Sequence, residues 1–353
     1  MFDAVSEPNA RGKPNRHTST LSAIAHNRRQ AAVGQRMLIF ALSATQDFGT
    51  KLAELLGVPL SAHEERSFED GEHKSRPLVE VRGQDTFVVQ SLHGGPEQDG
   101  PDKLLRLLFF LATLRDHGAA RVTAVVPYLA YARKDRRTQP HDPIGSRYVA
   151  QLLEAVGTDV LLSLEVHNPA AFDNGFRCRT VHLQSHSLFD RFVASYDDGG
   201  PLVLASPDPG GVKRVTLWQQ ALAPRLGRRL GQVFMDKSRS GGTVGGSTQV
   251  VGDVSAATVF VFDDIIATGT TIARAATALK EAGARRVFAF SAHGLFVGEA
   301  AAVLGSAPIE RLFVSDSIPP FRLPQSFASS ALEVVGSAPL FAAAIRELSE
   351  ERL

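Results

Sequence analysis

Short apolar runs rich in valine, isoleucine, leucine and phenylalanine alternate with segments of helical period from Met37 onward. This alternation is typical of parallel sheets covered by helices, so the sequence predicts an α/β fold. The predicted strands cover residues 37–42, 86–90, 122–126, 160–164, 202–205, 232–235, 259–262, 287–290 and 311–314. The predicted helices cover residues 47–56, 103–117, 146–156, 211–223 and 271–282.

The predicted strands fall into two groups, separated by residues 176–186, which show no strong period. We therefore expect an N-terminal domain over residues 37–180 and a C-terminal domain over residues 181–319. Residues 1–36, rich in Asn, Arg, Ser and Gln, are expected to form a disordered extension. Residues 320–353 are expected to form a tail that ends in a helix and packs back on the N-terminal domain.

Charge and cysteine content narrow the classes of function. The chain has 38 Lys and Arg against 37 Asp and Glu, so bulk charge does not indicate a nucleic-acid or membrane-surface binder. The single cysteine, Cys178, predicts no internal disulfide and hence a cytoplasmic location. The most apolar run, residues 104–114, contains Arg106 and is shorter than the roughly 20 residues that span a bilayer.

Residues 103–117 carry apolar side chains on nearly every face of the predicted helix. Such a helix is either buried within the monomer or partly covered by another subunit. The second alternative predicts a homo-oligomer. Residues 238–248, by contrast, are rich in Gly, Ser and Thr and are expected to be mobile without a ligand.

The most informative segment, residues 259–272, is an apolar strand followed by Asp263 and Asp264 and then a helix start. Backbone N–H groups and hydroxyls at such a helix start can surround a phosphate. The carboxylates can accept hydrogen bonds from vicinal sugar hydroxyls, so the pattern predicts a ribose 5-phosphate site. The alternative is that the acids merely end a strand and the threonines cap a helix. The loop residues concerned are Thr268, Gly269, Thr270 and Thr271.

This segment resembles the phosphoribosyl-diphosphate binding signature of the type I phosphoribosyltransferase superfamily. Five further segments, in order along residues 37–319, resemble the ribose-phosphate diphosphokinase family. The resemblance implies two phosphoribosyltransferase-like domains, each a mainly parallel sheet flanked by helices. It also implies Mg²⁺ as cofactor, ATP and ribose 5-phosphate as substrates, and a dimer-based homo-oligomer, commonly a hexamer.

Two of the five segments imply an ATP site. Residues 68–72, Phe-Glu-Asp-Gly-Glu, resemble the family's nucleotide loop, which places Phe68, Asp70 and Glu72 on the adenine side. Residues 125–137 contain a Pro-Tyr-x-x-Tyr-Ala-Arg-Lys-Asp-Arg run similar to a second family segment. By resemblance, this run assigns ATP binding to Arg133, Lys134 and Asp135. Lys134 stands where the family usually has glutamine.

The other three segments imply metal and lid residues. His167, in a segment similar to the family's Asp-Leu-His, is expected to help hold the magnesium-bound nucleotide, although a lone histidine after a strand is more often structural. Asp208 lies in a segment that ends at Arg214 and resembles the family's Ser-Pro-Asp-x-Gly-Gly-Val-x-Arg, and this segment is implied to contact metal or ribose. Lys237 and Arg239 resemble the start of a flexible catalytic loop that closes over the reacting phosphates.

The implied reaction is attack of the C1 hydroxyl of ribose 5-phosphate on the β-phosphorus of Mg-ATP, with release of AMP. One departure falls at Ala267, where the family usually has a third acid. Two alternatives therefore stay open, a phosphoribosyltransferase and a catalytically impaired synthetase-like regulatory subunit. Residues 68–72 and 128–137 argue against the first, which needs no ATP site. Retention of His167, Asp208, Lys237 and Arg239 argues against the second.

Overall fold

The computed structural model describes residues 37–237 and 248–351. The extension predicted over residues 1–36 and most of the predicted mobile loop lie outside these residues. The strands of the N-terminal half are β1 (Met37–Ala41), β2 (His63–Ser67), β3 (His73–Pro77), β4 (Asp85–Val89), β5 (Arg121–Val126), β6 (Val160–Leu164) and β7 (Arg179–Leu183). Its helices are α1 (Gln46–Leu56), α2 (Gly100–Asp116), α3 (Gly145–Ala155) and α4 (Pro169–Gly175).

The C-terminal half has strands β8 (Leu202–Ser206), β9 (Gly231–Lys237), β10 (Thr248–Val251), β11 (Thr258–Ile266), β12 (Arg286–Gly294), β13 (Arg311–Ser315) and β14 (Leu332–Val335). Its helices are α5 (Asp190–Ser195), α6 (Val212–Leu226), α7 (Thr270–Glu281), α8 (Ala300–Gly305), α9 (Gln325–Ala331) and α10 (Ala338–Glu350). No helix in the described ranges is long and apolar enough to cross a membrane.

All strands except β2 and β3 belong to two large sheets. Strands β1, β4, β5, β6 and β7 form a parallel sheet in the order β1-β4-β5-β6-β7. The second sheet has the order β10-β9-β8-β11-β12-β13-β14, in which only β9 and β10 pair antiparallel. Strands β4, β5 and β6 are buried along their whole length because helices cover both faces, which explains their mainly apolar sequence. The predicted α/β class is confirmed.

The order of strands in the second sheet reverses between β8 and β11. The chain proceeds from β8 to β9 on one side and from β11 to β12 on the other. Strand β8 pairs with β11 only as far as Val261, whereas β11 continues beside β12 to Ile266. A crevice at such a switch point, outside the carboxyl ends of parallel strands, is where open α/β sheets bind ligands.

Residues 176–186, in which no strand was predicted, contain β7. Five residues are too few to show a period, and the strand forms by pairing with the edge of β6. The hairpin of β2 and β3 was also not predicted. Its sequence is mostly polar, and cross-strand contacts such as the Arg76–Glu64 ion pair join its strands.

The tail connects the two halves. Strand β14 extends the second sheet beside β13, and α10 packs against α1 of the N-terminal half. The Phe341 ring meets Phe48 edge-on with 5.3 Å between ring centroids, and Arg121 Nη1 donates to the carbonyl oxygen of Leu348 at 2.8 Å. The apolar side of α10 therefore belongs to the N-terminal core.

Phe341→Ala is expected to lower the free energy of unfolding by about 3–5 kcal/mol, because the ring is fully buried between α10 and α1. Urea unfolding followed by circular dichroism measures this change. The control is Leu55→Ala on α1, whose side chain is exposed and whose loss is expected to cost less than about 1 kcal/mol. Similar losses for the two variants would contradict the packing of α10.

Candidate active site at the interdomain cleft

A cleft lies where the carboxyl ends of the two sheets face each other. The N-terminal half contributes the segments that follow β5 and β6, and the C-terminal half contributes β11 and β12. The polar side chains lining the cleft are Tyr128, Arg133, Glu165, His167, Asp264 and His293. Three residues assigned to two different sites by sequence therefore share one cleft: Arg133, His167 and Asp264.

A direct hydrogen bond crosses the cleft between His167 and Asp264. His167 Nδ1 lies 2.8 Å from Asp264 Oδ2. The hydrogen bond from His167 to the carboxylate raises the pKa of the imidazole above its ordinary value. Burial alone would raise the pKa of Asp264, but the hydrogen bond from His167 and the charge of Arg214 hold this pKa well below its usual range. Asp264 is thus an ionised acceptor, placed at the boundary between the halves.

Asp263 has a different electrostatic environment from its neighbour. Burial, followed by the nearby Asp264 carboxylate, raises the pKa of Asp263 well above its usual range. One Asp263 carboxylate oxygen accepts the backbone N–H of Asp264 at 2.9 Å. Both residues lie inside β11, beyond the point where β8 stops pairing, rather than after the strand as predicted. Of the two, Asp264 lines the cleft.

Arg214, which the sequence analysis left without a role, connects these groups. It lies in the first turn of α6, and its Nε donates to Glu165 Oε1 at 3.0 Å. Arg214 Nη2 lies 3.2 Å from Asp264 Oδ1, and Nη1 lies 3.8 Å from Asp263 Oδ1. A cation in the first turn of a helix interacts unfavourably with the helix dipole. An arginine at this position is therefore unusual, and this is the sequence signal that could have indicated a role for Arg214.

Asp208 lies directly after β8, on the other side of the switch point from Asp263. Its Oδ1 accepts the backbone N–H of Gly211 at 3.1 Å, and its carbonyl oxygen accepts a hydrogen bond from Ser206 Oγ at 2.6 Å. No group of three or more His, Cys, Asp or Glu side chains within residues 37–237 and 248–351 is arranged to hold a metal by itself. The carboxylate of Asp208 is a hard oxygen donor, which suits Mg²⁺, and Mg²⁺ is commonly completed by substrate phosphates.

The predicted phosphate loop runs from β11 into α7. Thr268 Oγ1 and Thr270 Oγ1 lie 3.1 Å apart, and Thr271 follows in the first turn of α7. Gly269 precedes α7 with φ of +78°, and a Cβ at this position would lie 2.6 Å from Leu304 Cγ. Both the conformation and the close approach of Leu304 therefore require glycine.

Gly269→Ala is expected to destabilise the protein by about 1–2 kcal/mol through its φ, with about 1–3 kcal/mol more from the clash with Leu304. Gly227→Ala is the matched control, because Gly227 has φ of +65° with open space around it. Thermal unfolding of the two variants separates the two costs. If Gly227→Ala costs as much as Gly269→Ala, the contact with Leu304 contributes nothing.

The predicted nucleotide residues that follow β5 are anchored by neighbouring side chains. Asn168 Nδ2 donates to Asp135 Oδ2 at 2.7 Å, which ties the segment after β5 to the segment after β6. Lys134 Nζ lies 3.7 Å from Asp142 Oδ2, so this lysine has an acidic partner within its own loop. Arg133, in contrast, lines the cleft.

The three residues predicted on the adenine side are not in the cleft. Phe68, Asp70 and Glu72 lie at the turn of the β2–β3 hairpin, where Asp70 Oδ1 accepts the backbone N–H of Glu72 at 3.1 Å. No hydrogen bond, ion pair or ring contact joins these three residues to the cleft in the part of the chain that the structure describes. Lys237 ends β9, but its side chain and the whole of Arg239 lie outside the described residues.

The switch point between Asp208 and the Asp263–Asp264 pair, with the threonine and glycine loop beyond it, defines a phosphoribosyl-handling enzyme. Three family models agree with this class. The N-terminal domain of ribose phosphate pyrophosphokinase matches residues 37–157, the phosphoribosyl transferase domain matches residues 186–293, and the phosphoribosyl synthetase-associated domain matches residues 244–352. The chain belongs to the ribose-phosphate pyrophosphokinase family.

Individual relatives cover nearly the whole chain. It is 34% identical over 310 residues to the ribose-phosphate pyrophosphokinase of Wolinella succinogenes, covering 88% of this chain and 95% of the relative. The corresponding protein of Granulibacter bethesdensis is 34% identical over 318 residues, covering 89% and 97%. The crystal structure of phosphoribosylpyrophosphate synthetase from Mycobacterium smegmatis superposes with a TM-score of 0.80 at 30% identity, covering 90% and 99%. The predicted family and enzymatic class are confirmed.

Proposed function

We propose that the chain transfers the diphosphate group of Mg-ATP to ribose 5-phosphate, giving 5-phosphoribosyl 1-diphosphate and AMP. The C1 hydroxyl oxygen forms a bond to the β-phosphorus, and the bond between this phosphorus and the α–β bridging oxygen breaks. AMP keeps the electron pair, and the hydroxyl proton leaves to solvent. The hydrogen bond between His167 and Asp264 carries this proposal, because it joins the predicted nucleotide and ribose residues in one cleft.

The C-terminal domain, residues 181–319, is proposed to hold the ribose 5-phosphate. Ionised Asp264 and its neighbour Asp263 are placed to accept hydrogen bonds from sugar hydroxyls at the switch point. The helix start after β11 would bind the 5-phosphate through backbone N–H groups and hydroxyls. Its residues are Thr268, Gly269, Thr270 and Thr271.

The N-terminal domain, residues 37–180, is proposed to hold the nucleotide. Arg133 in the cleft would pair with the polyphosphate, with Lys134 and Asp135 beside it. His167 completes this group from the segment after β6. Phe68, Asp70 and Glu72 stay predicted contacts of the adenine, and Lys237 and Arg239 stay predicted contacts of the reacting phosphates.

Mg²⁺ is the proposed cofactor, held by Asp208 and His167 together with substrate phosphates. When bound, the ion neutralises phosphate charge and orients the β-phosphorus. The protein contributes alignment of the two substrates and electrostatic stabilisation by Arg133 and the predicted Lys237 and Arg239.

We also propose a cytoplasmic location, which rests on the single cysteine, Cys178. We further propose a dimer-based homo-oligomer, because Leu105 and Phe109 of α2 are exposed whereas the rest of the apolar side of this helix is buried.

One assay tests the proposed function. The protein is incubated with Mg-ATP and ribose 5-phosphate, and phosphorus NMR follows AMP and phosphoribosyl diphosphate. AMP that forms only when the sugar phosphate is present supports the proposal. Substrate binding without AMP formation would instead favour the regulatory subunit, the alternative that Ala267 keeps open. Nucleotide formation from phosphoribosyl diphosphate and a base, without ATP, would favour a phosphoribosyltransferase.

A further inference from the structure

Arg214 contacts acidic groups of both halves of the molecule at once. Its Nε donates to Glu165 Oε1 of the N-terminal half at 3.0 Å, and its Nη2 lies 3.2 Å from Asp264 Oδ1 of the C-terminal half. Its Nη2 also lies 3.5 Å from the carbonyl oxygen of His167. The side chain is only 13% exposed, so solvent screens these contacts weakly.

Glu165 is fixed from several directions. Its second carboxylate oxygen, Oε2, accepts hydrogen bonds from Ser185 N at 2.8 Å and from Ser185 Oγ at 2.9 Å. His293 Nε2 lies 3.2 Å from the Glu165 carbonyl oxygen and 3.1 Å from that of Leu164. The Glu165 backbone has φ of +37°, a conformation that non-glycine residues keep only when their surroundings impose it.

We propose that Arg214 and Glu165 form a positioning pair, which holds the turn carrying His167 against Asp264 so that the two substrate half-sites meet in reactive alignment. This inference rests on the proposed function, in which the N-terminal half binds the nucleotide and the C-terminal half binds the ribose. Neither residue is required to touch a substrate. Their role is to fix the geometry of the residues that do.

The chemistry of the side chains supports this role. A buried polar network whose members are all hydrogen-bonded restricts the chain to one arrangement. The planar guanidinium of Arg214 reaches both carboxylates at once, whereas a lysine ammonium at the end of a flexible stem cannot reproduce that fork. Displacement of reacting groups by about 1 Å can cost roughly hundredfold in rate.

The test compares Arg214→Met and Arg214→Lys with the wild-type protein. We expect kcat to fall roughly hundredfold in both variants, while the Kd of each substrate alone stays within about threefold of wild type. The matched control is Arg225→Met on the same helix, because Arg225 forms a surface ion pair with Asp190. Its kcat should equal that of the wild type. Wild-type kcat in Arg214→Lys, or an equal loss in Arg225→Met, would overturn the proposal.

A double-mutant cycle with Glu165→Gln tests whether the two residues act together. We expect Glu165→Gln to lower kcat about tenfold, and the double variant to lose no more than Arg214→Met alone, because the second change removes an interaction already lost. If the losses of kcat in the two single variants multiply in the double variant, the two residues act independently. That result would overturn the proposal that they form a pair.

A measurement independent of turnover separates this inference from the proposed function. Hydrogen–deuterium exchange of the peptide containing residues 165–168 should be faster in Arg214→Met and unchanged in Arg225→Met. If the wild type forms no AMP but this exchange difference appears, the proposed function fails and the structural pair stands. If AMP forms and the exchange rates are equal, the positioning pair fails.

Discussion

Asp264→Ala is expected to lower the free energy of unfolding by about 3 kcal/mol, because it leaves buried Arg214 with fewer acidic partners. The cost lies at the lower end for a broken buried ion pair, since Arg214 keeps its hydrogen bond to Glu165. The variant also loses the hydrogen bond that the His167 side chain makes across the cleft. Urea unfolding measures the loss, and the turnover assay measures its effect on activity.

The control for Asp264 is Asp198→Ala. Asp198 pairs with Arg285 at the surface, where both side chains are well exposed, so its loss is expected to cost less than about 1 kcal/mol. Because Asp198 is remote from the cleft residues, turnover should be unaffected. Equal unfolding free energies for the two variants would contradict the view that the Arg214 network stabilises the fold.

The effect of Asp264→Ala should also depend on pH. The pKa of His167 is raised in the folded protein by its hydrogen bond to Asp264, so the folded state holds this proton more tightly than the unfolded state. The resulting stability is fully present below the unfolded pKa of about 6.5 and disappears as pH rises through the folded pKa. Asp264→Ala should therefore cost more at pH 6 than at pH 9, and a pH-independent cost would contradict this.

The buried strands could be predicted from sequence because they are covered on both faces and consist mainly of apolar residues, as in β5 and β6. Strand β7 could not be predicted in the same way. Its residues are partly exposed, and its conformation depends on pairing with the edge of β6. The hairpin of β2 and β3 was missed for a similar reason, since it lacks a buried apolar face.

The residues of the candidate site also differ in how far the sequence could predict them. Asp263 and Asp264 could be found because strand, acids and helix start are consecutive in sequence. Arg214 and Glu165 could not be paired, because 49 residues separate them and only the contact between the two halves brings them together. Local patterns indicate what a segment binds, whereas the groups that fix one domain against the other become visible only in three dimensions.

A second large effect is expected at Lys103, in the first turn of α2. Lys103 is only 2% exposed, and its Nζ lies 3.5 Å from both ring nitrogens of His93. No carboxylate within residues 37–237 and 248–351 lies within ion-pair distance of it. Burial, followed by the charge of Arg322, lowers the pKa of Lys103 to about 8. The folded protein therefore bears the cost of a buried cation.

Lys103→Met, which keeps the length of the side chain, is expected to raise the free energy of unfolding at pH 7 by about 3 kcal/mol. Between pH 8 and pH 10.5 the unfolded wild type binds more protons than the folded one, so wild-type stability should rise with pH across this window. The variant should lack this rise.

Lys51→Met is the control for this prediction, because Lys51 is exposed and its Nζ lies 3.9 Å from Asp316 Oδ2. It should retain the increase in stability above pH 8. Urea unfolding at pH 7, 8, 9 and 10 distinguishes the variants, and an unchanged slope in Lys103→Met would show that Lys103 keeps an ordinary pKa. The expected gain would mean that the neighbouring cations Lys103 and Arg322 oppose folding, even though Arg322 Nη2 hydrogen-bonds the carbonyl oxygen of Gly94 at 2.6 Å across the two halves.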